Sequence, residues 1–151
     1  MDFIFDITIK NRTLFKSFLE DFSLEQLNKV PEGFNNNIFW NIAHTVVTQQ
    51  LLVYSLSELP MHVSKELVLK YKKGTKTEHM ATQKEVDEIK DLLFSTIEKT
   101  KADYAAGIFK NYIAYTVTTK STLTNVEEAI DFNNFHEGIH LGYILALKKS
   151  L

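Results

Sequence analysis

The sequence predicts an all-α fold: a four-helix bundle with a long crossover between helices two and three and a short hairpin or loop before helix four. Three observations predict it. Apolar residues recur at helical intervals through four long stretches. Thr82 stands three residues ahead of Glu85, and Thr124 three ahead of Glu127, the spacing of a capping box at a helix start. Both prolines and three of the five glycines fall between the periodic stretches, where chain reversals belong.

Helix one is predicted from Phe3, Ile7, Thr13, Leu14, Phe18 and Leu19, although its first residues also fit a strand. The stretch "SLEQLNKVPEGFNN" reads as a short helical turn capped by Ser23 and closed by Pro31 and Gly33. Helix two should run from about Asn36 to Leu59, where Pro60 lacks the N–H to continue it. It is apolar on most faces and so belongs deep in the fold. The lysine-rich stretch from Met61 to Ala81 reads as an irregular, solvated crossover.

Helix three starts at Thr82 and continues through Ile89, Leu92, Leu93, Thr96 and Ile97 towards Tyr104. Alternating β-branched and aromatic residues in "GIFKNYIAYTVTTKSTL" favour extended chain. The last helix starts at Thr124 and runs to about Lys149, with Lys148 and Lys149 suited to the negative end of its dipole. Trp40, Val47, Phe132 and Ile144 are expected in the interior, with Phe135 and Tyr143 also core aromatics and Gly138 and Gly142 sites of close helix packing. No repeat or composition break appears, so residues 1–151 read as one domain.

Composition excludes several functions. With 17 Lys+Arg against 19 Asp+Glu there is no positive excess to draw a nucleic-acid backbone or an anionic membrane. The absence of cysteine removes disulfides, thiolate ligands and a cysteine nucleophile. Asp2 and Asp6 stand where a secretory signal carries positive charge, and no apolar run reaches the roughly 18 residues of a membrane span. A cytoplasmic protein is expected.

The sharpest motif is "HEGIH", residues 136–140. As H-E-x-x-H it matches the zinc-protease pattern, in which two imidazoles one turn apart flank a glutamate base. The peptidase reading fails downstream: after His140 come no Glu, Asp or His to complete the ligand set. His136 and His140 still share one helical face and form half of a metal site. His62 and His79 sit in the polar crossover and read as solvated. His44 differs, because it stands mid-helix in "FWNIAHTVVT", where an imidazole is costly unless its nitrogens find partners. It is either a hydrogen-bonded core histidine or the third ligand. Three neutral imidazoles converging between helices can hold a divalent cation and leave a position open.

The stretches "WNIAHTVVTQQLLVY" and "FHEGIHLGYILALKK" resemble the DinB/YfiT-like superfamily of bacterial four-helix bundles, whose pattern is one histidine in helix two and H-x-x-x-H plus glycine in helix four. His44, His136, His140 and Gly142 fall on those positions. The resemblance implies a divalent metal at one end of the bundle interior, a homodimer, and in some relatives the transfer of low-molecular-weight thiols. Imidazole suits zinc, nickel or iron alike.

The expected function is therefore a metal-dependent thiol transfer or hydrolysis of a small molecule at a three-histidine site. The alternative is a non-catalytic metal-binding or dimeric structural bundle, and an open pocket meeting the rings would separate the two. Glu137 reads as a general base or as an ordinary interhelix charge. Asn41, Thr48, Gln49, Asn133 and Asn134 could orient imidazole N–H groups or substrate.

Overall fold

Side-chain caps set the starts of five of the six α-helices in the computed structural model, which describes residues 1–151. Helix α1 (Asp2–Asp21) is helical from its first residues and buries a stripe of Phe5, Thr8, Arg12, Phe15 and Phe18. Helix α2 (Leu24–Asn28) is the predicted short turn, with Ser23 and Gln26 forming a capping box. In α3 (Ile38–Val53), the Asn37 side chain accepts the Trp40 N–H and caps the start.

Helix α3 ends well before Pro60. Its C-terminus passes into a 3-10 turn, Ser55–Ser57, closed by Glu58 in the left-handed conformation at φ +59°. The Leu59 N–H then turns back to the Tyr54 carbonyl, so the break owes nothing to the proline.

The crossover is also more ordered than its lysines suggest. Ser64 caps α4 (Lys65–Tyr71), which buries Leu67 and Tyr71, two residues one turn apart. Helix α5 (Gln83–Ala105) has the predicted Thr82–Glu85 box. Strands β1 (Tyr115–Thr116) and β2 (Thr122–Leu123) form an antiparallel hairpin. Helix α6 (Val126–Lys148) starts one residue later than predicted: Asn125 accepts the Glu128 N–H, and Glu128, not Glu127, accepts from the Thr124 backbone and hydroxyl.

The long helices close into a ring in which α1 and α3 each pack against both α5 and α6. Two apolar clusters fill it. One includes Phe15, Val47, Leu93 and Ile144, and the other Phe5, Leu52, Ile97 and Ile130. Along the chain, buried polar residues separate them: Thr8 and Arg12 on α1, Gln49 and Gln50 on α3, Thr96 on α5, Asn133 and Glu137 on α6. A polar layer thus crosses the bundle between two apolar ones.

Trp40, Val47 and Ile144 are buried as predicted, and Phe132 packs partly buried on the second cluster. Phe135 and Tyr143 are not core residues, being 52% and 38% exposed. Gly138 and Gly142 are not packing sites either, since a Cβ at each would meet nothing within 4 Å. Helix α6 carries apolar residues on more of its circumference than the bundle covers. No helix is long and apolar enough to cross a membrane.

Candidate metal centre

Helix α3 presents His44 and α6 presents His136 and His140, one turn apart, on facing sides of the closely packed α3–α6 pair. One nitrogen from each ring lies within 4.8 Å of the other two. Ring centroids are 5.2 Å apart for His44–His136, 4.8 Å for His44–His140 and 4.6 Å for His136–His140. Tetrahedral coordination at about 2.0–2.1 Å separates ligand nitrogens by roughly 3.4 Å, which falls inside that span.

Hydrogen bonds fix two of the tautomers. His44 Nδ1 lies 2.6 Å from the Tyr71 carbonyl, which can only accept, so the proton sits on Nδ1 and Nε2 carries the lone pair. The Thr48 hydroxyl, 3.2 Å away, donates to that Nε2. His140 Nδ1 lies 2.8 Å from Asn41 Oδ1. Because Asn41 Nδ2 donates to the Asn37 carbonyl, its Oδ1 faces the ring as an acceptor and again leaves Nε2 with a lone pair. His136 Nδ1 is buried without a partner. Trp40 stacks on His44 at 4.6 Å and 10°, which limits rotation of that ring.

Burial pushes the His44 pKa down, against the opposing effect of its bond to Tyr71. Burial and the neighbouring imidazoles push His136 down to about 3, and burial and His44 do the same to His140. All three rings are therefore neutral near pH 7, the state a metal ligand requires. The donor set fits a divalent cation: three neutral imidazoles, two with their second nitrogen already anchored.

The rings line a pocket of about 530 Å³. Its walls come from the end of α3 and the turn after it (Thr48, Leu51, Leu52, Ser55, Leu56), from the hairpin (Tyr115, Val117) and its connecting residues (Thr118, Thr119), and from Phe132, Phe135 and Ile139 on α6. Lys73, from the crossover, completes the rim.

The model of the DinB superfamily matches residues 8–144, a span that includes all three histidines. The chain belongs to the DinB superfamily. Comparison with curated proteins gives no match.

Other sequence expectations change in this DinB-superfamily structure. Glu137 is fully buried and does not line the pocket. Its Oε1 accepts from Arg12 Nε at 3.0 Å, from Arg12 Nη2 at 2.9 Å and from Asn133 Nδ2 at 3.0 Å. A carboxylate so engaged is a structural counter-charge and is not poised to accept a substrate proton. Asn133 therefore serves Glu137 through its amide nitrogen, and its Oδ1 is buried without a partner. Asn134 ties α6 to α1 through Thr8 and the Ile4 carbonyl, and Gln49 bonds Thr100. Of the five polar neighbours expected, Asn41 and Thr48 are the two bonded to the rings. His62 and His79 stand outside the cluster.

Sequence reasoning missed three contributors. The Tyr71 carbonyl is a backbone atom, invisible in residue types. Arg12 left a signal, a charge on the buried stripe of α1. Lys73 left none, since four lysines crowd residues 70–76.

Proposed function

We propose that this protein is a divalent-metal-dependent enzyme acting on a small molecule, with transfer of a low-molecular-weight thiol to an electrophile as the reaction it best supports. The observation that carries the reading is three neutral imidazoles converging at an open pocket large enough for an organic substrate. A cation held there supplies Lewis acidity, which lowers the pKa of a bound thiol or water.

The protein's own residues do the rest. Tyr71 and Asn41 hold His44 and His140 in the tautomer that leaves each Nε2 a lone pair to offer a cation. The apolar walls lower the local dielectric and strengthen charge interactions inside. In thiol transfer, the sulfur bonds to the electrophilic carbon, the leaving group departs with its bonding pair, and the thiol proton passes to solvent. No carboxylate lines the pocket to relay a proton to a leaving amine or alkoxide. That favours thiol transfer over hydrolysis.

Protein purified without a polyhistidine tag should contain metal and turn over thiol with a panel of electrophiles. Chelation or His44→Ala should abolish that turnover. Activity surviving both would place the chemistry elsewhere.

A second observation favours self-association. Phe135 and Ile139, half exposed at the outer edge of the pocket, and Leu145, half exposed beyond it, follow one another along α6 beside the open Gly138 and Gly142. We infer that this stripe pairs with its copy in a homodimer. Light scattering should report a dimer that Leu145→Arg, outside the pocket, converts to monomer, and a monomeric wild-type protein would refute the pairing.

A further inference from the structure

We propose that the pocket selects an organic anion, holding an apolar body between Leu52, Leu56, Val117 and Phe132 and an acidic group at Lys73. This rests on the pocket being the substrate site, the reading given above, and names the class of molecule it takes.

The apolar half of the argument is the lining. Leucine, valine, isoleucine and phenylalanine side chains make up much of the wall, and the polar groups besides the imidazoles are hydroxyls and one ammonium. A volume of about 530 Å³ accommodates an organic molecule rather than an inorganic ion.

The charge half rests on Lys73. It is the one lysine or arginine in the lining, and no aspartate or glutamate accompanies it. The other lysines near it do not serve the pocket: Lys70 is held by Glu66 and Glu85, and Lys72 and Lys76 are not in the lining. Lys73 makes no salt bridge, since the lysines in ion pairs are Lys10, Lys16, Lys70, Lys90 and Lys99. Apart from the imidazoles and any cation they hold, it is the one charged side chain of the pocket.

Its backbone is also placed. Gly74, at φ +90°, makes the turn in which the Thr75 N–H bonds the Lys72 carbonyl at 3.2 Å. Trp40 Nε1 pins that turn to α3 through the Thr75 hydroxyl at 3.2 Å. Tyr71, two residues before Lys73, gives its carbonyl to His44. The segment that orients one imidazole therefore also sets the cation at the rim.

The test compares octanoate with octanol and octylamine, three ligands of one apolar body and different charge. Binding to the 151-residue protein, as purified and after metal removal, is followed by calorimetry and by the fluorescence of Trp40, the chain's one tryptophan. Metal-free protein removes direct carboxylate–metal bonding from the comparison.

The expected order is octanoate, octanol, octylamine, with a roughly threefold to tenfold preference for the acid over the alcohol that weakens with salt. Lys73→Met should equalise acid and alcohol without weakening the alcohol, and Lys73→Glu should favour the amine. Equal binding of acid and alcohol by wild type, a preference that persists in Lys73→Met, or no saturable binding of any of the three would overturn the proposal. Metal content and thiol turnover of wild type and His44→Ala report separately on the enzyme reading, so each can fail without the other.

Discussion

Replacing Arg12 with methionine should destabilise the protein by about 3–5 kcal/mol, the usual cost of breaking a buried ion pair from one side. Arg12 and Glu137 are both fully buried. The guanidinium also donates from Nη1 to the Leu93 carbonyl at 2.8 Å and to the Thr96 hydroxyl at 2.7 Å. Methionine fills much of the same space but leaves the Glu137 carboxylate without a counter-charge. Only the Asn133 amide would still donate to it, and Glu137 Oε2 has no partner. Adding Glu137→Leu should recover most of the stability, because an apolar pair of similar volume needs no desolvation. Urea unfolding of the two variants checks this. A single variant within about 1 kcal/mol of wild type would show the pair to be dispensable, and a double variant no better than the single would assign the cost to packing instead of charge.

This pair matters to the site because it fixes the rotation of α6. Glu137 follows His136 directly, and Asn133 precedes it by one turn. With Asn133 and Glu137 turned to the polar layer, His136 and His140 face α3, while Phe135 and Ile139 reach the surface. Two apolar clusters alone would tolerate a rotated helix. A buried charge that must meet Arg12 does not, and measuring metal binding as well as stability in the double variant checks that role.

Features encoded by local spacing were legible in the sequence. Ser23 and Thr82 announced their caps because a capping box closes within four residues. The histidine cluster was legible for a related reason: His136 and His140 are one helical turn apart, and His44 is conspicuous in an apolar helix. What failed depended on contacts distant in the chain or on backbone conformation. Arg12 and Glu137 are 125 residues apart, so the sequence offered no way to pair them. The end of α3 turns on a left-handed Glu58, a conformation its residue type does not signal. Lysines masked α4, whose one buried face needs only Leu67 and Tyr71. Phe135 and Tyr143 were misread because apolar character says which residues avoid water, not whether the bundle has a neighbour to cover them.

Replacing His140 with alanine should lower affinity for a divalent metal by roughly a hundredfold to a thousandfold, taking the about 10–16 kcal/mol of a four-ligand zinc site as shared among its ligands. Asn41→Leu keeps the ligand but removes the acceptor that orients it, and should cost about tenfold to a hundredfold. Competition against a chromophoric chelator ranks the two. The same histidine should show in acid. His140 and His136 stay neutral in the folded protein down to about pH 3, whereas in the unfolded chain they take up protons near the ordinary value of 6.5. Between those limits the unfolded state binds more protons, so stability of the metal-free protein is complete above pH 6.5 and declines as pH falls towards 3. Each such histidine contributes a slope of about 1.4 kcal/mol per pH unit within that window. From pH 6.5 to 5, before most carboxylates protonate, metal-free His140→Ala should lose stability less steeply than metal-free wild type. Parallel slopes would show that His140 titrates normally in the fold. Unchanged chelator competition in both variants would mean that the three imidazoles converge for packing and the metal binds elsewhere.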